Sequence, residues 1–215
     1  MRPLIVDALA GVDCDILIYE PTPAYQNVVK RRGVEKLTPA RALMADMIRR
    51  FEVLGFDCSM LEAQKLAWFL SRAMQRLNLT PNPIADDFAA NRYGPYSDKV
   101  RHLLDSLDGS YQTHDRRDEV GAYLTSPGAA PYRPALEDAT RVIDGFQSPH
   151  GLELLTTVDW LTHARGTALD AEGMMAAIAC WPGPDGAAER KARVFTRHHV
   201  GVAVEHLRAV QLVGA

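Results

Sequence analysis

Lys65, Trp68, Phe69 and Arg72 crowd one stretch of the chain, and Arg92-Tyr93-Gly94-Pro95-Tyr96 follows shortly after it. Basic groups mixed with aromatics suit a recognition face, because Tyr, Trp and Arg dominate interface hot spots. A helical core uses the same large side chains, so packing accounts for any single one of them equally well. Asp86, Asp87, Asp98, Asp105 and Asp108 supply carboxylates around the same region.

Catalytic templates are absent by comparison. The seven histidines are scattered; only His199 and His206 share a helical face, and the adjacent His198-His199 point apart. Neither HExxH nor CxxC occurs, so no zinc site is expected. GxGxxG and GxxxxGK[ST] are missing too, which removes the usual phosphate cradles. Asp86-Asp87 reads as a pair of solvated acids. From residues alone the chain is expected to bind rather than catalyse, with no catalytic residue, metal or cofactor.

Composition narrows the class further. The 215 residues are 47% hydrophobic and 24% charged, with 24 Lys+Arg against 27 Asp+Glu. This is an ordinary globular composition, not a disordered one. The small acidic surplus argues against nucleic-acid binding through bulk charge. No apolar run reaches the roughly 18–20 residues of a membrane span, and the N-terminus lacks a signal-peptide h-region. Cys14, Cys58 and Cys180 are odd in number and far apart, which excludes a disulfide framework and suggests a reducing cytoplasm.

The elements that must position these residues are mostly helices. Thr38-Pro39 supplies a cap and a first-turn proline, and Leu43, Met47, Phe51 and Leu54 share the face behind it. Ser59-x-x-Glu62 is a capping box, after which Ala63, Leu66, Ala67, Leu70, Met74 and Leu77 form a buried stripe. Glu62, Lys65, Phe69, Arg72 and Arg76 run along another side of that helix. Gly94-Pro95 predicts a turn ahead of a helix carrying Val100, Leu103, Leu104 and Leu107. Tyr123-Leu124-Thr125 allows a short strand. Helices resume at about 134–146 and 149–164, then after Asp170, and finally through Ala192 to Val210.

Residues 1–21 differ from this. A helical pattern (Leu4, Ile5, Ala8, Leu9) is followed by the apolar run Ile16-Leu17-Ile18-Tyr19, as in a buried parallel strand. The expected organisation is an α/β remnant over 1–21, a linker over 22–36 containing Lys30-Arg31-Arg32, and a helical domain over 37–215. The alternative is that the strand pairs within the rest of the chain. The fold class expected is mainly α: a compact multi-helix domain with a short β element, preceded by the orphan helix–strand piece.

Several segments resemble one family. Leu43 through Phe56, Leu61-Glu62-Ala63-Gln64-Lys65-Leu66-Ala67-Trp68-Phe69-Leu70, and Asn91-Arg92-Tyr93-Gly94-Pro95-Tyr96-Ser97-Asp98 are similar to the C-terminal domain of DarG-type antitoxins. Ser148-Pro149-His150-Gly151-Leu152-Glu153-Leu154-Leu155, with Val158 and Trp160, matches a later segment, and the core also resembles SocA-like or Panacea domains more loosely. The resemblance spans about 37–210. It implies a domain that binds a DarT-type DNA ADP-ribosyltransferase toxin and occludes its DNA cleft. It also implies that 1–21 is the tail of a macrodomain similar to ADP-ribosyl-glycohydrolases, whose catalytic lysine and ADP-ribose loops have no counterparts here. On this basis the expected toxin contacts are Lys65, Trp68, Arg92, Tyr93, Tyr96 and Asp98, with direct nucleic-acid binding and membrane association not expected. The alternative function is the macrodomain activity, hydrolysis of ADP-ribose from DNA. A third possibility is a regulatory domain that holds nucleic acid through Lys30-Arg31-Arg32.

Overall fold

The structure is a computed structural model that describes residues 37–52, 58–85, 87–105, 107 and 114–212. The expected α/β remnant and linker, together with Asp86 and Asp108, lie outside these residues. The described body is mainly helical with one small two-stranded sheet, as its periodicity predicts.

Helix α1 (Pro39–Glu52) starts on Thr38, whose hydroxyl accepts from Arg41 N at 3.4 Å. It buries Leu43, Met44, Met47, Ile48 and Phe51, while Arg49 and Arg50 in its last turn pair with the buried Asp46 at 2.6 and 2.7 Å. Helix α2 (Met60–Arg76) opens with the capping box: Ser59 accepts from the helix, and Glu62 reaches back to Ser59 N at 3.0 Å. The box satisfies amides that the first turn leaves unpaired.

The expectation of an exposed side on α2 is corrected. Glu62, Lys65 and Phe69 are as buried as the apolar stripe from Ala63 to Met74, because α1, the later helices and the sheet enclose this helix from several directions, whereas Leu77, expected in that stripe, falls past the helix end and is exposed. Strands β1 (Ala89–Asn91) and β2 (Gly94–Tyr96) form an antiparallel hairpin with Ala89 opposite Tyr96 and Asn91 opposite Gly94. Its two-residue turn is therefore Arg92-Tyr93, two positions before the expected one, and Gly94-Pro95 belongs to the second strand.

Helix α3 (Asp98–Asp105) follows at once, then α4 (His114–Thr125) and a 3₁₀ segment (Pro127–Tyr132). Tyr123-Leu124-Thr125 is the last turn of α4, not a strand. Helices α5 (Arg133–Ile143), α6 (Pro149–Arg165), α7 (Ala171–Ala179), α8 (Ala187–Val194) and α9 (Arg197–Leu212) complete the body. Ser148 caps α6 through Gly151 N at 3.0 Å, and Asp170 caps α7 through Gly173 N at 2.7 Å.

Helix α6 is buried on every side from Gly151 to Leu161, as α2 is over most of its length. A helix buried all round belongs at the centre of its fold. Helices α1, α3 and α5 pack on α2, while α7 and α9 pack on α6 and α8 packs on α7. The hairpin sits where the two central helices meet, with β2 touching both. This placement makes the hairpin part of the core on one side and part of the surface on the other.

Candidate functional site

Gln64 and Lys65, adjacent on α2, hold the backbone of strand β2 and of Ser97 just after it. The Gln64 amide donates to Ser97 O at 2.9 Å and accepts from Ser97 N at 3.0 Å. Lys65 Nζ donates to Pro95 O at 2.9 Å. The pair grips two alternate residues of one extended segment, the spacing at which carbonyls recur on one side of a strand. Ser97 then caps α3, accepting from Val100 N at 3.2 Å and donating to Asp87 at 2.6 Å. On its other edge the hairpin is held by Trp181, whose indole N–H donates to Asn91 O at 2.9 Å.

Gly94 permits the approach of strand to lysine. Its φ is +100°, where side chains are disfavoured, and a Cβ there would lie 3.3 Å from Lys65 Nζ. Both constraints select glycine.

A charged cluster lies behind the hairpin. Arg190 on α8 makes a forked pair with Glu153 on α6 at 2.6 and 3.0 Å. Lys191, fully buried, donates to Glu153 at 2.8 Å and to Thr157 at 3.0 Å. Its ammonium lies 4.8 Å from the Trp181 ring centroid, and the Arg190 guanidinium lies 4.6 Å over Tyr93.

Electrostatics follow from this burial. Burial, aided by the Lys191 charge, pushes the Lys65 ammonium down to about 7, against the opposing pull of Glu153 and Glu62. Burial also lowers Lys191, although Glu153 resists. Burial works to raise the Glu153 carboxyl, but the bonds from Arg190 and Lys191 outweigh it and hold it below its ordinary value. A lysine that titrates near neutrality at the edge of a hollow is a candidate functional group.

The hollow lies between the first turns of α2 and the hairpin turn. It measures about 290 Å³ and is lined by Met60, Gln64, Lys65, Asn91, Tyr93 and Tyr96 among others. Three of the six expected site residues (Lys65, Tyr93 and Tyr96) thus converge on it. Arg92 is exposed in the adjoining turn. Asp98 is exposed at the start of α3, accepting from the Tyr96 hydroxyl at 3.4 Å and pairing with Arg101 at 3.3 Å.

Trp68 does not belong with them, which corrects its expected place on a binding face. It is 7% exposed, its indole N–H donates to the buried Asp159 at 2.8 Å, and Phe88 meets it edge-on at 5.3 Å. Arg72, 3.6 Å from the same carboxylate, completes that internal contact. His206 bonds Val142 O at 2.7 Å, while His199 meets His150 edge-on with ring centroids 5.1 Å apart. Among the described residues no group of three His, Cys, Asp or Glu side chains is placed to hold a metal ion.

Glu153, Arg190, Lys191 and Trp181 escape the sequence reading as site residues. Glu153 lies inside a recognised motif, but its partners are 37 and 38 positions away and nothing local links them.

The described residues therefore define a mainly α chain with an aromatic and cationic hollow beside a pinned hairpin. No family model matches the chain. Among curated proteins, the DNA ADP-ribosyl glycohydrolase of Thermus aquaticus is 35% identical over 216 residues, covering 94% of this chain and 55% of that protein. Those of Mycobacterium bovis and Mycobacterium tuberculosis are each 29% identical over 225 residues, covering 91% of this chain and 59% of theirs. The chain thus spans a little over half the length of the curated relatives it matches.

These relatives correct the functional expectation. The chain was expected to be a non-catalytic antitoxin domain that occludes a toxin. Its relatives are instead named for a hydrolytic activity on ADP-ribosylated DNA, in line with the alternative set beside that reading. The expectations of an antitoxin and of a protein without enzymatic function are withdrawn together.

Proposed function

We propose that this chain takes part in the hydrolytic removal of ADP-ribose from DNA. The observation that carries the reading is the 35% identity with a DNA ADP-ribosyl glycohydrolase over 94% of the chain. In that reaction water attacks the anomeric carbon of the ribose attached to DNA. The glycosidic bond breaks, ADP-ribose keeps the water's hydroxyl, and the departing DNA group takes the proton.

The substrate carries phosphates in both of its parts, so a cationic surface with aromatic groups is what its binding needs. The hollow lined by Tyr93 and Tyr96, with Arg92 exposed in the adjoining turn, meets that description. By contrast, the buried carboxylates Asp46, Glu153 and Asp159 are committed to internal bonds with Arg49, Arg190 and Trp68 respectively. We assign the described helices to holding the substrate and give none of these acids a chemical role. The cysteine pattern supports a cytoplasmic setting.

The test is incubation with an ADP-ribosylated single-stranded oligonucleotide, with the Thermus aquaticus protein as positive control. Free ADP-ribose and restored oligonucleotide, measured by mass spectrometry, should accumulate through several turnovers. A folded chain that leaves the adduct at the rate of buffer alone, while the control clears it, overturns the reading.

A further inference from the structure

We propose that the hollow between α2 and the hairpin turn is a subsite for one nucleobase. The inference rests on the substrate being ADP-ribosylated DNA, so the ring is either a base of the strand or the adenine of the ADP-ribosyl group.

Size comes first. At about 290 Å³ the hollow is at the small end of ligand sites, which span about 300–1,000 Å³, and it suits one ring system rather than a whole dinucleotide. The walls come second. Tyr93 and Tyr96 both line it, and aromatic side chains stack on any base because every base has a π-face. The Arg190 guanidinium over Tyr93 and the Tyr96 hydroxyl bond to Asp98 restrain these rings before a ligand arrives. Less ordering then remains to be done on binding.

Charge is the third observation. A nucleobase arrives attached to phosphates. Arg92 is exposed in the turn beside the hollow, and the Arg190 guanidinium lies over the Tyr93 ring that lines it, so two guanidinium groups stand beside it although the whole chain is slightly acidic. Both ends of the Gln64 amide are committed to Ser97, so the hollow offers stacking more than reading of base edges. Binding should accordingly be tolerant of base identity.

The experiment compares unmodified oligothymidylate with a fully abasic strand of the same length and charge, using fluorescence anisotropy. The strand with bases should bind at least about fivefold tighter, the lower end of what one stacked base contributes. Tyr93→Ala with Tyr96→Ala should bring the two strands to equal affinity, with circular dichroism confirming the fold. If that double variant does not fold, Tyr93→Ala alone gives the same comparison, since Tyr93 is 42% exposed.

Free ADP-ribose in a parallel titration separates the two sources. Binding of ADP-ribose that depends on the tyrosines, with no base preference in the strand, assigns the subsite to adenine. Equal binding of both strands together with no ADP-ribose binding overturns the proposal. So does a base-dependent gain that survives in the tyrosine variant. Unmodified strand and free ADP-ribose require no bond cleavage. A chain that stacks bases here yet releases no ADP-ribose therefore loses the proposed reaction and keeps the subsite.

Discussion

Lys65 Nζ donates to the carbonyl of Pro95 at 2.9 Å, tying the second turn of a central helix to the second strand of the hairpin. The bond places an ionisable group where solvent is excluded and sets the position of the two tyrosines that flank Gly94-Pro95. Structure and electrostatics meet at this one contact.

Its first consequence is a pH dependence of stability. In the unfolded chain a lysine titrates near 10.4, whereas the folded Lys65 is pushed down to about 7. Between those values the unfolded chain holds a proton that the native state has released. Unfolding free energy therefore rises with pH across that window, and the gain is lost as pH falls toward 7. Lys65→Met removes the titration. Urea midpoints at pH 7 and 9.5 should show the wild type gaining relative to Lys65→Met as pH rises. Parallel changes in the two proteins would show that Lys65 is not depressed.

Glu153→Gln tests the cluster behind the hairpin. The substitution keeps the shape of the side chain but leaves the fully buried Lys191 and the Arg190 guanidinium without their carboxylate. Removing one partner of a buried ion pair costs about 3–5 kcal/mol. For a chain of this size that is a fall in Tm of about 6–20 °C. A fall under about 2 °C by calorimetry would mean that the cluster is relaxed or hydrated.

How much of this was legible depended on distance along the chain. Ser59 and Glu62 announce their helix because a capping box lies within four residues and its hydrogen bonds are local. Lys65 and the Arg92–Tyr96 segment stood out by residue type, whereas Gln64 did not. The bonds of Lys65 to Pro95 and of Gln64 to Ser97, across 30 and 33 positions, are products of folding that no periodicity encodes. Trp68 was misplaced for the same reason. An indole with a basic neighbour looks alike on a surface and in a core, and the deciding partner, Asp159, is 91 positions away. The all-round burial of α2 was hidden because Glu62, Gln64, Lys65 and Ser71 are polar, so polarity suggested solvent where internal pairing had replaced it.

Gly94→Ala tests the close approach that the Lys65 contact needs. At φ +100° any side chain is strained, and the new Cβ meets Lys65 Nζ at 3.3 Å. Strain of this kind costs about 1–3 kcal/mol. We expect a lower denaturation midpoint and a further downward shift of the Lys65 titration, observable by NMR of the labelled ammonium, as the Pro95 carbonyl that stabilises the charged form moves away. An unchanged midpoint and titration would mean that the hairpin moves freely relative to α2.

The last prediction separates the two aromatic residues that sequence placed on one face. Trp68→Ala removes a core indole and leaves the buried Asp159 short of a donor, and large aromatic truncations cost about 3–5 kcal/mol. Tyr93→Ala removes a ring that is 42% exposed and whose visible partner is Arg190, a contact of about 0.5–1 kcal/mol. Calorimetry should therefore show a fall of about 6–20 °C for Trp68→Ala and of at most about 4 °C for Tyr93→Ala. Binding of oligothymidylate, measured well below both midpoints, should follow the opposite order: Tyr93→Ala weakens it and Trp68→Ala leaves it within about twofold. Two positions that lose stability equally, or a Trp68→Ala protein that stays folded but no longer binds, would return Trp68 to the binding face and reject the separation of core from site drawn here.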